Sequence, residues 1–371
     1  MPNRRDVLGG LIGTTLPLAT AIRPFPAEAA IAKAPTSLRI LILGGTGFIG
    51  PHHVRYAVAR GHRVTVFNRG KEQVDLPKEV EHLIGDRNSD LTALAGRDWD
   101  AVLDLGTTVP RWVRSVGEIL GARTKHYTFV SSLSAYADLP DGTDESAPLR
   151  EYKGTVDPFT LTTMSAELYG PLKALSEREA ERQFPNRVLI VRPGLIVGPG
   201  DETNRFSYWP IRMSYGGEVL VPGQPTAPQQ YIDARDLAEW VIRMVEARET
   251  GGYNVNGPEM PLTAAELLGA IRGTYATPMT LTWVPFDWLS QHQAREWMDL
   301  PLWPNMTRPG IMTTNIDKAV AKGLTFRPTS DISRDIMTSQ SASRTAAQQK
   351  TKLEEKMKRE HELLASWHSS R

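Results

Sequence analysis

The sequence predicts an α/β chain, with a doubly wound parallel sheet and a smaller C-terminal lobe. Three observations lead there. An apolar run at 38–43 breaks abruptly into Gly44, Gly47 and Gly50. Strand-like and helix-like segments alternate from 38 to 192. After Arg192, glycine and proline punctuate short segments. Such alternation implies parallel strands joined by crossover helices, with ligands beyond the carboxyl ends of the strands.

The first thirty residues stand apart. Asn3-Arg4-Arg5-Asp6-Val7-Leu8 sets paired arginines before an apolar stretch at 7–21, and Ala27-Glu28-Ala29 has the small-residue spacing a signal peptidase reads. This resembles a twin-arginine signal peptide over 1–30, with Val7 and Gly9 departing from its usual aromatic and lysine. It implies a periplasmic protein; the alternative is a cytoplasmic one with a disordered or tethering N-terminus. The stretch is shorter than the about 20 residues of a spanning helix and contains Pro17, so no stable membrane insertion is expected.

Strand candidates follow at 38–43, 63–68, 80–84, 101–105, 127–131 and 188–192, with helical spacing at 48–59, 111–120 and 169–184. Residues 38–192 thus read as a nucleotide-binding domain. Residues 193–335 read as a substrate lobe interleaved with the sheet, including helices at 234–247 and 263–271. The charged tail, 345–371, places Leu353, Met357, Leu364 and Trp367 on one helical face. That stripe suits docking on the core, or secondarily a partner.

The 371 residues are 40% hydrophobic and 23% charged, with a formal net charge of +1. This balance offers no electrostatic case for nucleic acid or an anionic membrane. With no cysteine, disulfides, thiolate catalysis and cysteine-held metals are excluded. No metal site is expected.

The turn Gly44-Gly45-Thr46-Gly47-Phe48-Ile49-Gly50 follows a strand and opens a helix. Glycine permits the tight turn and lets backbone approach a pyrophosphate, while the helix start favours phosphate charge. This is a Rossmann-type arrangement. Tyr169 and Lys173, four apart, share one helix face. Pro171 between them fits only a first turn. An ammonium beside the phenol would lower its pKa, making Tyr169 a general acid–base for carbinol–carbonyl interconversion. Ser131-Ser132-Leu133-Ser134 follows the strand at 127–131, where a hydroxyl could donate to a substrate oxygen.

Together with Phe129-Val130-Ser131-Ser132-Leu133-Ser134-Ala135-Tyr136, Arg192-Pro193-Gly194 and Gln230-Tyr231-Ile232-Asp233-Ala234-Arg235-Asp236-Leu237, these motifs resemble the extended short-chain dehydrogenase/reductase superfamily, of the NAD-dependent epimerase/dehydratase kind. The resemblance spans about 38–326. It implies Tyr169 as acid–base, Lys173 as ribose-holding residue tuning Tyr169, and Ser132 as substrate-orienting residue. It also implies a cofactor site at Gly44, Thr46, Gly47, Phe48, Ile49, Gly50, Asn68, Arg69, Asp86, Arg87, Leu105 and Gly106, with Thr107 at its border. The second strand ends Asn68-Arg69, without the carboxylate an NAD ribose prefers. Arg69 could pair a 2′-phosphate, which favours NADP over NAD; if it only stacks on adenine, either binds.

Leu195-Ile196-Val197 stands where nucleotide-sugar enzymes often have asparagine, and 204–210 resembles a divergent branch with chloroplast RNA-associated relatives. Phe206, Tyr208 and Trp209 suit a sugar face or lobe core equally. The implied function is an NAD(P)-dependent oxidoreductase or isomerase (dehydrogenase, epimerase or dehydratase) moving hydride at a hydroxyl or carbonyl carbon of a sugar-like small molecule. A homodimer is compatible with it. The alternative is a non-catalytic cofactor-binding sensor or RNA-associated module.

Overall fold

Seven strands form the central sheet: β1 (Arg39–Leu43), β2 (Arg63–Asn68), β3 (Glu81–Ile84), β4 (Ala101–Asp104), β5 (Tyr127–Val130), β6 (Val188–Pro193) and, from the C-terminal half, Gly251–Val255. The structure, a computed structural model, describes residues 31–72, 74–106, 109–301, 308–340 and 346–371. The expected signal peptide lies outside them.

Short strand pairs build the lobe. β7 (Ile196–Val197) joins β10 (Ile232–Asp233), β8 (Gly217–Pro222) joins β13 (Met279–Val284), and β9 (Pro228–Gln229) joins β12 (Leu262–Thr263). The late strand of the large sheet is therefore β11. Its order is β11-β6-β5-β4-β1-β2-β3, every pair parallel. The chain runs outward one way from β1 and returns on the other side through β4. The crevice at this reversal is where such sheets bind ligands.

The alternation of side chains along β1 shows how both faces are covered. Ile40 and Ile42 share a core with Val54 and Ala57 of α1 (Gly50–Ala59). Leu41 and Leu43 pack with Val113 and Val116 of α2 (Pro110–Leu120) and Ala180 of α3 (Tyr169–Gln183). Burying one such Val or Leu contributes about 1.5–3 kcal/mol, so the two-faced pattern alone favours this layering.

The lobe core gathers Leu195, Phe206, Tyr208, Trp209 and Met213 around α4 (Tyr208–Ser214). Helices α5 (Ala234–Ala247), α6 (Ala264–Arg272), α7 (Phe286–Gln291), α8 (Asp317–Ala321) and α9 (Thr329–Gln340) follow. The terminal α10 (Ala346–Ser369) buries Leu353, Leu364 and Trp367. Glu360 on that helix is wholly buried, taking Arg212 Nε at 2.6 Å and the Leu220 N–H at 2.8 Å. Lys33–Arg371 forms one compact unit. Among the described residues no helix is long and apolar enough to cross a membrane.

Some boundaries differ from expectation. Helix α1 begins at Gly50 rather than Phe48, because 48–49 complete the glycine turn. Strand β4 ends at Asp104 and β5 at Val130, which leaves Leu105 and Ser131 on the connecting loops.

Candidate active site

The glycine turn caps β1. Gly44 has φ +92°, and its N–H donates to Phe67 O at 3.0 Å. Its carbonyl accepts from Thr46 N at 2.6 Å and Gly47 N at 3.2 Å. A Cβ on Gly50 would come within 2.4 Å of the Gly45 carbonyl carbon, so helix and turn can close only over glycine. Gly47 differs. A Cβ there would meet nothing nearer than 3.9 Å. Packing within the protein does not require this glycine; close approach of a ligand would. No side chain caps the start of α1, and its first-turn dipole faces the same crevice.

A cavity of ≈ 290 Å³ opens beside the turn, lined by Gly44, Thr46, Gly47, Asn68, Arg69, Asp86, Arg87 and Gly106, with Lys71 and Glu72. Asn68 Oδ1 accepts the Gly70 N–H at 2.7 Å, while its buried Nδ2 has no partner. Arg69 is exposed and makes no ion pair among the described residues. Phe48 lines a neighbouring cavity of ≈ 860 Å³ between the turn and loop 198–203. The partly buried Ile49 side chain packs on the sheet core.

Leu105 and Arg87 stand differently toward this cavity. The Leu105 side chain is buried in the sheet core; its N–H bonds Leu43 O at 3.2 Å, and Gly106 alone of that pair lines the cavity. Thr107 lies outside the described residues. Arg87 lines the cavity but is anchored below it, its two terminal nitrogens 2.9 and 2.7 Å from the Asp104 carboxylate. Asp86 accepts the Asn88 N–H at 2.9 Å, closing its own turn.

The acid–base candidates come together where α3 meets the loop after β5. Ser132 accepts the Ser134 N–H at 3.1 Å, and its hydroxyl is close enough to the Tyr169 phenol to act on its pKa. Lys173 is buried, donating from Nζ to Val130 O at 2.8 Å, with Nζ 5.8 Å from the Tyr169 ring centre. Burial holds the Tyr169 phenol above its ordinary pKa, against the Ser132 hydrogen bond and the Arg205 charge, which pull it down. The net direction is thus opposite to the lowering expected from Lys173, because burial outweighs the groups that favour the phenolate. Its own pKa falls to about 8 through burial, opposed by Asp104 and Glu177.

Behind the pair runs a buried polar chain. Ser131 donates to Glu177, Arg192 Nη2 meets Glu177 at 2.7 Å, Arg192 Nη1 meets the Tyr136 hydroxyl at 2.9 Å, and Tyr136 donates to Asn254 at 2.7 Å. Sequence reading missed Glu177, Asp104 and Arg205 at this site. Glu177 alone carried a local signal, standing one turn beyond Lys173.

The model of the NAD dependent epimerase/dehydratase family matches residues 40–256. The chain belongs to that family.

Its family relatives differ in what their names describe. Chloroplast stem-loop binding protein of 41 kDa b from Arabidopsis thaliana is 27% identical over 212 residues, covering 49% of this chain and 55% of that protein. The chain thus spans about half of that relative's length. A dTDP-4-dehydro-6-deoxy-D-allose reductase from a Streptomyces species is 24% identical over 275 residues, 64% of this chain and 82% of that protein. Among solved structures, the UDP-glucose 4-epimerase of Thermus thermophilus in complex with NAD superposes with TM-score 0.57 at 18% identity, over 82% of this chain and 100% of that one. A dTDP-glucose 4,6-dehydratase from Bacillus anthracis in complex with NAD gives 0.59 at 13%, over 82% and 98%. These likenesses establish the Rossmann-type fold.

An epimerase/dehydratase-family cofactor fits the residues present. The turn leaves room over Gly47, and the unpartnered Asn68 amide nitrogen borders the cavity. The aromatic residues of the lobe are not placed for stacking on a sugar. Phe206, Tyr208 and Trp209 are at most 1% exposed and form lobe core. Among the described residues no cluster of three His, Cys, Asp or Glu could hold a metal ion.

Proposed function

We propose that this chain is a nicotinamide-dependent oxidoreductase or epimerase acting at a hydroxyl or carbonyl carbon of a sugar-like small molecule. One observation carries the reading: α3 opens at Tyr169 packed against the loop after β5 that holds Ser132, beyond the carboxyl edge of the sheet whose β1 end bears the glycine turn. The nicotinamide, when bound, supplies the two-electron donor or acceptor. Tyr169 then gives or takes the substrate hydroxyl proton, and Ser132 orients that oxygen by a hydrogen bond. Lys173 supports the site from beneath, fixed on Val130 O. Sugar-nucleotide relatives support a carbohydrate-like substrate.

The cofactor proposed is NADP. Arg69 and Lys71 offer cations at the cavity edge, and no carboxylate ends β2. The paired arginines at 4–5 support export to the periplasm by the twin-arginine route; mature Arg4→Lys, Arg5→Lys protein arriving there unchanged overturns that. A second reading, RNA binding, rests on the likeness to the chloroplast stem-loop binding protein.

The deciding experiment compares wild type with Tyr169→Phe for NADP and NAD binding and for turnover on UDP- and dTDP-sugars and simple sugar alcohols. Retained cofactor binding with turnover down about 10²–10⁴-fold is expected. Full activity in Tyr169→Phe would remove Tyr169 from the chemistry. Binding of an RNA stem-loop without nicotinamide binding would favour the second reading.

A further inference from the structure

Asp104 ends β4 with no solvent exposure. A lone buried carboxylate is costly, so its partners carry information. Among the described residues, Arg87 and Tyr127 converge on it. Arg87 Nη1 and Nη2 bind its two oxygens at 2.9 and 2.7 Å, and the Tyr127 hydroxyl donates to Oδ2 at 2.7 Å. Arg87 comes from the loop after β3 and lines the cofactor cavity. Tyr127 comes from β5.

The same carboxylate is close to the acid–base pair. In the sheet, Asp104 is the register partner of Phe129. Lys173 Nζ sits 5.1 Å from the Phe129 ring centre and donates to the next residue's carbonyl, Val130 O. The Asp104–Arg87 ion pair and the Lys173 ammonium are therefore neighbours at the ends of two adjacent strands. The guanidinium lines the cavity beside the glycine turn, and the ammonium lies 5.8 Å from the Tyr169 ring centre.

We propose that Asp104 is a positioning residue for the acid–base pair, a buried counter-ion shared between Arg87 at the cofactor cavity and Lys173 beneath Tyr169. This rests on the reading of Lys173 as part of the active site. The field of Asp104 keeps Lys173 an ammonium despite burial, so Val130 O always finds a charged donor. Arg87 competes for that field. Any ligand group that draws Arg87 upward leaves more of the carboxylate's field to Lys173. The direction of each charge agrees: Asp104 raises the Lys173 pKa and Arg87 lowers it. Other groups facing Lys173 are Glu177 and Tyr169 of α3. Glu177 also raises Lys173 but is itself engaged by Arg192 and Ser131.

The test reads Lys173 directly. Full-length protein carrying ¹³C,¹⁵N-lysine is titrated by NMR, with the Lys173 side-chain signal assigned by its loss in Lys173→Arg. In Asp104→Asn the midpoint should fall, and in Arg87→Gln it should rise, each by on the order of one pH unit. A merely structural role for the pair gives no such opposed shifts. Unmoved midpoints, or two shifts in the same direction, overturn the proposal. If Asp104→Asn does not fold, Arg87→Gln decides alone, and a midpoint that stays or falls overturns it. The titration needs no turnover. Opposed shifts beside a fully active Tyr169→Phe would therefore defeat the proposed function and leave the Asp104 coupling standing.

Discussion

Gly170 lies so close to the Ser134 carbonyl that a Cβ there would stand 2.3 Å from that oxygen. Tyr169 and Ser132 flank this contact. The approach that brings phenol and hydroxyl together therefore depends on the absence of one methyl group. Gly170→Ala should push α3 off the Ser132 loop. We expect a stability loss of about 1–3 kcal/mol in urea unfolding. Turnover should fall by more than the unfolded fraction explains. Wild-type stability in Gly170→Ala would mean that loop and helix can part without cost.

Arg69→Ala should weaken NADP and leave NAD nearly unchanged, because Arg69 is exposed and makes no ion pair within the described chain. A charge-assisted hydrogen bond of this kind contributes about 1.5–3 kcal/mol. Calorimetric titration of both cofactors against both proteins checks it. Equal NADP affinity would show that Arg69 does not read the 2′-phosphate.

Removing Glu360 should strand a buried cation. Arg212 is 1% exposed and meets Glu360 at 2.6 Å. Breaking such a pair costs about 3–5 kcal/mol, so Glu360→Ala should unfold at markedly lower urea. The double variant Glu360→Leu, Arg212→Met should recover much of the loss, since both charges go. Failure to recover would place the stabilisation in the Glu360 bonds to Tyr208 and the Leu220 N–H instead.

His53 predicts a pH dependence of stability. Its ring is fully buried in α1, with Nδ1 2.8 Å from Ile49 O and Nε2 without a partner. Burial, opposed by the Ile49 carbonyl and aided by His52, lowers its pKa to about 4. The unfolded imidazole takes a proton near pH 6.5. The contribution of His53 is thus complete above about pH 6.5 and is lost as pH falls toward 4. Wild type should lose on the order of a few kcal/mol over that interval, and His53→Gln distinctly less. Parallel losses in urea unfolding at pH 7 and pH 5 would rule His53 out as the source.

The sheet was legible because its determinants are local. Strand β2 has the bounds expected, and the apolar run at 38–43 is the strand β1, whose Ile40 and Leu41 fall in separate cores. The glycine turn was legible because backbone conformation at Gly44 and contact at Gly50 leave a mark on residue type. The spacing of Tyr169 and Lys173 likewise follows from one helix.

What only the tertiary structure decided concerns charge and burial. How α3 lies over β5 decides both that Lys173 donates to Val130 O and how deeply Tyr169 is buried, and that burial raises the phenol where a lowering was expected. Arg87 reads locally as a cofactor contact, yet its bond to Asp104 crosses from β3 to β4. The aromatics at 206–209 fit core or sugar by residue type, and only their packing against the lobe made them core. A sequence records backbone preference and periodicity. It does not record which buried charge meets which, because those partners are set by elements distant along the chain and neighbouring in space.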